Sequence, residues 1–93
     1  MSVECVLFGP LREAVGEKRV RVENGPGTVG ELLDHLEREY PALEGRLLDD
    51  GGAGLVDGLA VTLDKKHVQH LDGLDTDLSD GDVVRMTPAV YGG

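Results

Sequence analysis

The segment LDTDLSDGDVVRMTPAVYGG, residues 74–93, changes character twice. Up to Gly81 it is acidic and turn-rich, with Asp75, Asp77 and Asp80 set among Leu74, Leu78 and Ser79. Such a composition predicts a solvated polar connection punctuated by two leucines. From Asp82 to Thr87 the residues alternate, placing Val84 and Met86 on one face, which predicts a last strand over 82–87. Pro88 ends it, and the chain finishes on Gly92 and Gly93. Without a Cβ, that pair can enter a passage too narrow for other residues. Extended, residues 88–93 would reach roughly 20 Å at about 3.3 Å per residue. A carboxylate on such an arm can be delivered into another protein's active site. A frayed end is the plainer reading of two glycines in a chain that has 14. The division expected is a folded domain over 1–87 and a flexible tail over 88–93.

The same periodicities organise the rest of the chain. Residues 3–8 predict a first strand with Val3, Cys5 and Leu7 on one face. Gly9-Pro10 breaks it, and Leu11 to Val15 predict one helical turn closed by Gly16. Residues 17–23 predict a second strand, with Val20 and Val22 inward and Arg19, Arg21 and Glu23 outward. The short connection makes this pair antiparallel. After the turn Asn24-Gly25-Pro26-Gly27, Thr28-x-x-Glu31 forms a capping box. Val29, Leu32, Leu33, Leu36 and Tyr40 then make the apolar stripe of a helix that Pro41 stops. Ala42 to Leu48 predict a second short helix. Residues 58–63 predict a strand with Leu59, Val61 and Leu63 on one face. Asp64-Lys65-Lys66 follows as a turn, and His67 to Leu71 as a short strand. One amphipathic helix thus covers one face of a small sheet, an α+β arrangement. The first and last strands are the most apolar, so both belong at its centre.

With 93 residues the chain is one domain, too small for a doubly wound nucleotide fold or two lobes around a cleft. Eighteen acidic and nine basic residues give a net charge of −9 and a pI near 4.5. Phosphate backbones and anionic membrane surfaces would be repelled. Ten of the acids are Asp, while Lys18, Lys65 and Lys66 are the only lysines. That bias fits a salty cytoplasm, where dense carboxylates keep a protein hydrated. The N-terminus lacks the basic start of a secretory signal, and the single Cys5 has no internal disulfide partner. A cytoplasmic protein is expected. Because crowded carboxylates repel at low ionic strength, the melting temperature is expected to rise between about 50 mM and molar KCl. Thermal melts across that range check this; a flat or falling trend would contradict it.

Several motifs read as ordinary structure. Gly25-x-Gly27-x-x-Gly30 matches a dinucleotide fingerprint only formally, since the chain cannot supply the parallel sheet that site needs. Asp75-x-Asp77-x-x-Asp80-Gly81 has the wrong spacing for a calcium loop, and Met86 stands where its bidentate Glu belongs. His67 and His70, on a strand, would face opposite sides and hold no metal. Cys5 falls on an apolar strand face and reads as a core thiol. No catalytic set emerges, and no cofactor is expected to bind.

The ending Leu74-Asp-Thr-Asp-Leu78-Ser-Asp80-Gly-Asp82-Val-Val-Arg-Met-Thr-Pro88-Ala-Val-Tyr-Gly92-Gly93 resembles that of the ubiquitin-like MoaD/ThiS family. Leu7-Phe8-Gly9 before Leu11-Arg12-Glu13-Ala14, and Thr28-Val29-Gly30-Glu31-Leu32-Leu33, are similar to that family's first strand and helix start. The likeness spans nearly the whole chain and, with the acidic composition, points to the small archaeal modifier proteins of halophiles.

The resemblance implies a β-grasp fold and a monomer whose chemistry lies at Gly93. An E1-like enzyme would adenylate the terminal carboxylate with ATP. The activated glycine would then join a substrate lysine, or accept sulfur to become a thiocarboxylate for molybdopterin synthesis or tRNA thiolation. In the first use the chain is a modifier; in the second it would serve partners such as the large subunit of molybdopterin synthase. Because the chain already ends at Gly93, no processing protease would be needed. Gly92 and Tyr91 would thread into the partner. Tyr91 stands where the family often has a small residue, which favours the modifier over dedicated molybdopterin work. Val83 and Val90 are candidate partner contacts, and Lys18, Lys65 and Lys66 are candidate acceptors of a second copy, otherwise solvated charges. A non-covalent β-grasp interaction module is the third reading.

Overall fold

The computed structural model describes residues 2–23, 27–49, 54–56 and 58–88. Its main sheet has five strands in the order β2-β1-β7-β5-β6. These are β1 (Ser2–Leu7), β2 (Arg19–Glu23), β5 (Leu59–Leu63), β6 (Lys66–His67) and β7 (Val83–Pro88). β1 runs antiparallel to β2 and parallel to β7, and β7 runs antiparallel to β5. The two most apolar strands therefore lie side by side within the sheet, as their composition requires. Helix α1 (Pro10–Val15) fills the β1–β2 connection and ends at Gly16, whose φ of 89° is the left-handed conformation that glycine adopts freely.

Helix α2 (Val29–Glu39) packs Val29, Leu32, Leu33 and Leu36 against the sheet, each fully buried. From the sheet side they meet Val3, Cys5, Leu7, Val61, Val84 and Met86. Its start is built as the sequence predicts: the Glu31 N–H donates to Thr28 Oγ1 at 3.2 Å. The reciprocal bond shifts by one residue, with Gly27 N–H donating to Glu31 Oε1 at 2.7 Å.

Two predicted elements are corrected. No helix spans Ala42 to Leu48. Pro41–Leu43 make a single 3₁₀ turn, and Leu48–Asp49 (β3) pair instead with Gly54–Leu55 (β4). The reason is Glu37: its Oε2 accepts the N–H groups of Leu47 at 3.0 Å and Leu48 at 2.8 Å, so helical carbonyls are not needed there. Likewise His67–Leu71 is not a strand. After β6 the chain turns into a 3₁₀ segment, Val68–His70, which buries Val68.

The acidic connection before β7 is docked rather than loose. It contains a 3₁₀ turn over Gly73–Asp75 that lies against α2, so close that a Cβ on Gly30 would stand 3.1 Å from the Leu74 carbonyl oxygen. Val29 N–H donates to the Thr76 carbonyl at 2.9 Å, and Leu78 N–H to that of Gly27 at 2.8 Å. Leu78 is buried, so the connection is not the solvated loop its acidic composition predicts.

Candidate functional site

β7 is an inner strand and the last element among the described residues. Its inward side chains, Val84 and Met86, are fully buried, which fixes the strand's register against β1 and β5. At its far end Pro88 lies opposite Leu59, and just before it Phe8 N–H donates to the Met86 carbonyl at 3.2 Å. The root of the C-terminal segment is thus held from both sides. Residues 89–93 lie outside the described residues, and with them Gly93 as the attachment point, Gly92 and Tyr91 as the threading pair, Val90 as a contact, and the tail itself.

The outer face of the sheet surrounds that root. Val83, Arg85 and Thr87 point away from α2, each half-buried. Across β1, Val83 lies opposite Glu4 and Arg85 opposite Val6. Val6 is 3% exposed yet stands outside the core cluster. Beyond it, Lys18 Nζ sits 5.9 Å from the Phe8 ring centroid, a cation over an aromatic face. Val83 is therefore on the face expected of it. Val6, Phe8 and Arg85 were not singled out from sequence. The signal was available: the alternation that sends Val3, Cys5 and Leu7 inward leaves Val6 and Phe8 as apolar residues on the other side.

The other candidates separate cleanly. Lys65 and Lys66 are exposed at the β5–β6 turn, where Asp64 and Lys65 have φ of 52° and 68°. Leu63, next to that turn, pairs with Val84 at the start of β7, so the turn lies at the opposite end of the sheet from the tail root. Lys18 is exposed at the root's own end. The rings of His67 and His70 do meet, 5.9 Å apart and edge to face, because the 3₁₀ turn replaces the strand that would have sent them to opposite faces. Among the described residues no group of three His, Cys, Asp or Glu side chains could hold a metal. Cys5 is fully buried, and burial, with the Glu4 charge adding to it, pushes its thiol up to about 12. A thiol so protonated is no nucleophile at neutral pH. No helix among the described residues is long and apolar enough to cross a membrane.

Among the described residues this arrangement offers a rigid inner strand ending at Pro88, beside a face that mixes apolar and basic groups. Residues 5–93 match the ThiS family. The chain is 42% identical over 95 residues to small archaeal modifier protein 3 of Haloferax volcanii, covering 100% of both. It is 32% identical over 94 residues to the sulfur carrier protein CysO of Mycobacterium tuberculosis, again covering 100% of both. The crystal structure of small archaeal modifier protein 1 from Haloferax volcanii superposes with a TM-score of 0.83 at 36% identity, over 100% of each chain.

Proposed function

Because this chain belongs to the ThiS family of ubiquitin-like β-grasp proteins, we propose that it is a protein modifier activated at Gly93 and joined through that residue to lysines of other proteins. It is a carrier rather than a catalyst, in keeping with modifier and sulfur-carrier relatives that span its full length. The observation that carries the reading is the family match running through Gly93, five residues beyond the end of the inner strand β7.

The chemistry follows from the weakness of a carboxylate as an electrophile, whose leaving group would be oxide. In the partner's active site a Gly93 carboxylate oxygen attacks the α-phosphorus of ATP. The bond to the β-phosphate bridging oxygen breaks, and pyrophosphate leaves. The acyl-adenylate now carries AMP as a good leaving group. A lysine amine attacks the carbonyl carbon, AMP departs, the amine loses a proton, and an isopeptide bond remains. Every group that catalyses these steps resides in the E1-like partner, so the chain needs none of its own. It binds no cofactor; ATP is consumed by the partner. Attachment of a second copy at Lys65 or Lys66 would leave the tail root clear, since the two lie at opposite ends of the sheet. The acidic, Asp-rich composition supports a salty cytoplasm as its setting.

Sulfur delivery is the second reading, favoured by the 32% identity to a sulfur carrier. A sulfur donor would then attack the same adenylate and leave a thiocarboxylate on Gly93. The step common to both is activation. ATP–pyrophosphate exchange with the E1-like enzyme of the same organism is expected for the intact protein and absent after deletion of Gly93. Val83→Asp should raise the concentration needed for half-maximal exchange while the domain still folds, as a cooperative thermal melt would show. Equal exchange by the Gly93 deletion would remove the C-terminal mechanism.

A further inference from the structure

The sheet has an edge whose chemistry the C-terminal mechanism does not use. Among the described residues β2 pairs only with β1. Leu7 N–H donates to the Lys18 carbonyl at 2.7 Å, so the alternation of an antiparallel ladder turns the main-chain groups of Lys18, Val20 and Val22 toward β1. Those of Arg19 and Arg21 point the other way, and no turn or loop among the described residues takes them up. An edge of this kind is a template for an added strand.

The side chains on it are unusual for this chain. Lys18, Arg19 and Arg21 are three of nine cations in a protein of net charge −9. Arg19 and Arg21, two residues apart, share the outer face, with side chains 64% and 71% exposed. Each holds a surface carboxylate, Glu4 at 2.6 Å and Glu23 at 3.7 Å, in contacts weak enough to be exchanged. Both arginines line a shallow hollow of about 370 Å³ with Ser2, Glu4, Val20 and Gly81. A second copy is a poor occupant of this edge. It would bring a second net charge of −9 to the first, and antiparallel self-pairing centred on Val20 sets Arg19 against Arg21. Arg19 and Arg21, on one face at alternate positions, are spaced to attract carboxylates at alternate positions of a foreign strand.

We propose that β2 is a non-covalent docking edge that takes up an extended acidic segment of another protein as a sixth strand, with its carboxylates over Arg19 and Arg21. The main-chain groups of Arg19 and Arg21 supply the ladder, and the guanidinium pair selects the sequence. This recognition is independent of Gly93, so it survives deletion of Gly92 and Gly93 and stands or falls separately from the activation chemistry.

The test uses the full-length protein, ¹⁵N-labelled, in about 0.5 M KCl, where contact ion pairs persist although long-range steering is screened. The probe is a synthetic decapeptide alternating Asp or Glu with Val or Thr. Two controls accompany it: the same peptide with one central Val replaced by Pro, and a version with Lys for every acid. The acidic peptide is expected to shift amide signals along β2 and to slow exchange of the Arg19 and Arg21 amides. Both controls, and the Arg19→Glu/Arg21→Glu variant, should bind at least about tenfold more weakly. Equal binding of the proline peptide would reduce the interaction to unspecific charge attraction and overturn the proposal. So would shifts mapping away from β2, or no binding up to about 1 mM.

Discussion

Leu36→Ala will lower the melting temperature by roughly 10–20 °C, the loss expected when about 3 kcal/mol is removed from a domain of this size. Leu36 is fully buried at the middle of α2, among Leu32, Leu33 and the inner side chains of the sheet. Truncation there removes transfer free energy and leaves a cavity that a rigid sheet cannot close. The change is large because the whole stability of 93 residues is on the order of 5–14 kcal/mol. The core is almost wholly aliphatic, so no bulky aromatic is available to swing into the gap. Leu71, which is 40% exposed, is the control: Leu71→Ala should cost less than about 0.5 kcal/mol. Denaturant titration of both variants decides the matter. Equal losses would mean that α2 does not carry the core.

The second large effect appears in alkali. Cys5 has its thiol pushed up to about 12 from 9.0, first by burial and then by the Glu4 charge. In the unfolded chain the thiol ionises near 9.0; in the folded protein it stays protonated. The unfolded state therefore binds fewer protons than the folded state between those values, and stability falls as pH rises through that window. The slope is about 1.4 kcal/mol per pH unit, or on the order of 4 kcal/mol over the full interval. Below pH 9 the contribution is wholly present. Cys5→Val, which keeps the volume nearly constant, should flatten the limb between pH 9 and 11. Any slope left behind belongs in part to Tyr40, whose hydroxyl is also raised, by burial and then by Glu17 and Glu39. Urea unfolding of both proteins at half-unit pH steps measures the difference. Parallel curves would show that the Cys5 thiol is not desolvated.

Much of this fold is written in short-range periodicity. The alternation in β1, β2, β5 and β7 and the helical stripe of α2 state which faces are buried, and the structure buries them. The capping pair Thr28 and Glu31 marks the helix start to within a residue. The failures share one cause, a long-range partner that local spacing cannot express. Leu43, Leu47 and Leu48 have helix-like spacing, but the Glu37 carboxylate captures the N–H groups that a helix would need. His67 and His70 would diverge on a strand, but burial of Val68 bends the chain into a 3₁₀ turn that brings them together. The acidic loop looked solvated because Asp75, Asp77 and Asp80 dominate it. Its backbone is nevertheless held against the start of α2 through Thr76 and Leu78.

The site was legible in a different way. Nothing in composition or spacing distinguishes a working glycine pair from a frayed one, since the chemistry belongs to a partner. The order of motifs along residues 74–93 carried the assignment, through resemblance. The outer sheet face was the part left unread. Its significance depends on which strands become neighbours, and Val6 gains its cover only when β2 and β7 close on β1 from opposite sides.

The central claim is that Gly93 ends up in an amide with a lysine. An affinity-tagged copy expressed in its native host, purified under reducing, denaturing conditions and digested with trypsin, tests it directly. Trypsin cuts after Arg85, so a modified lysine carries the remnant Met86 to Gly93, MTPAVYGG. This remnant is expected on lysines of other proteins, and it should be lost when Gly93 is deleted. A thiocarboxylate on Gly93 with no remnant on any lysine would contradict it and leave the sulfur carrier.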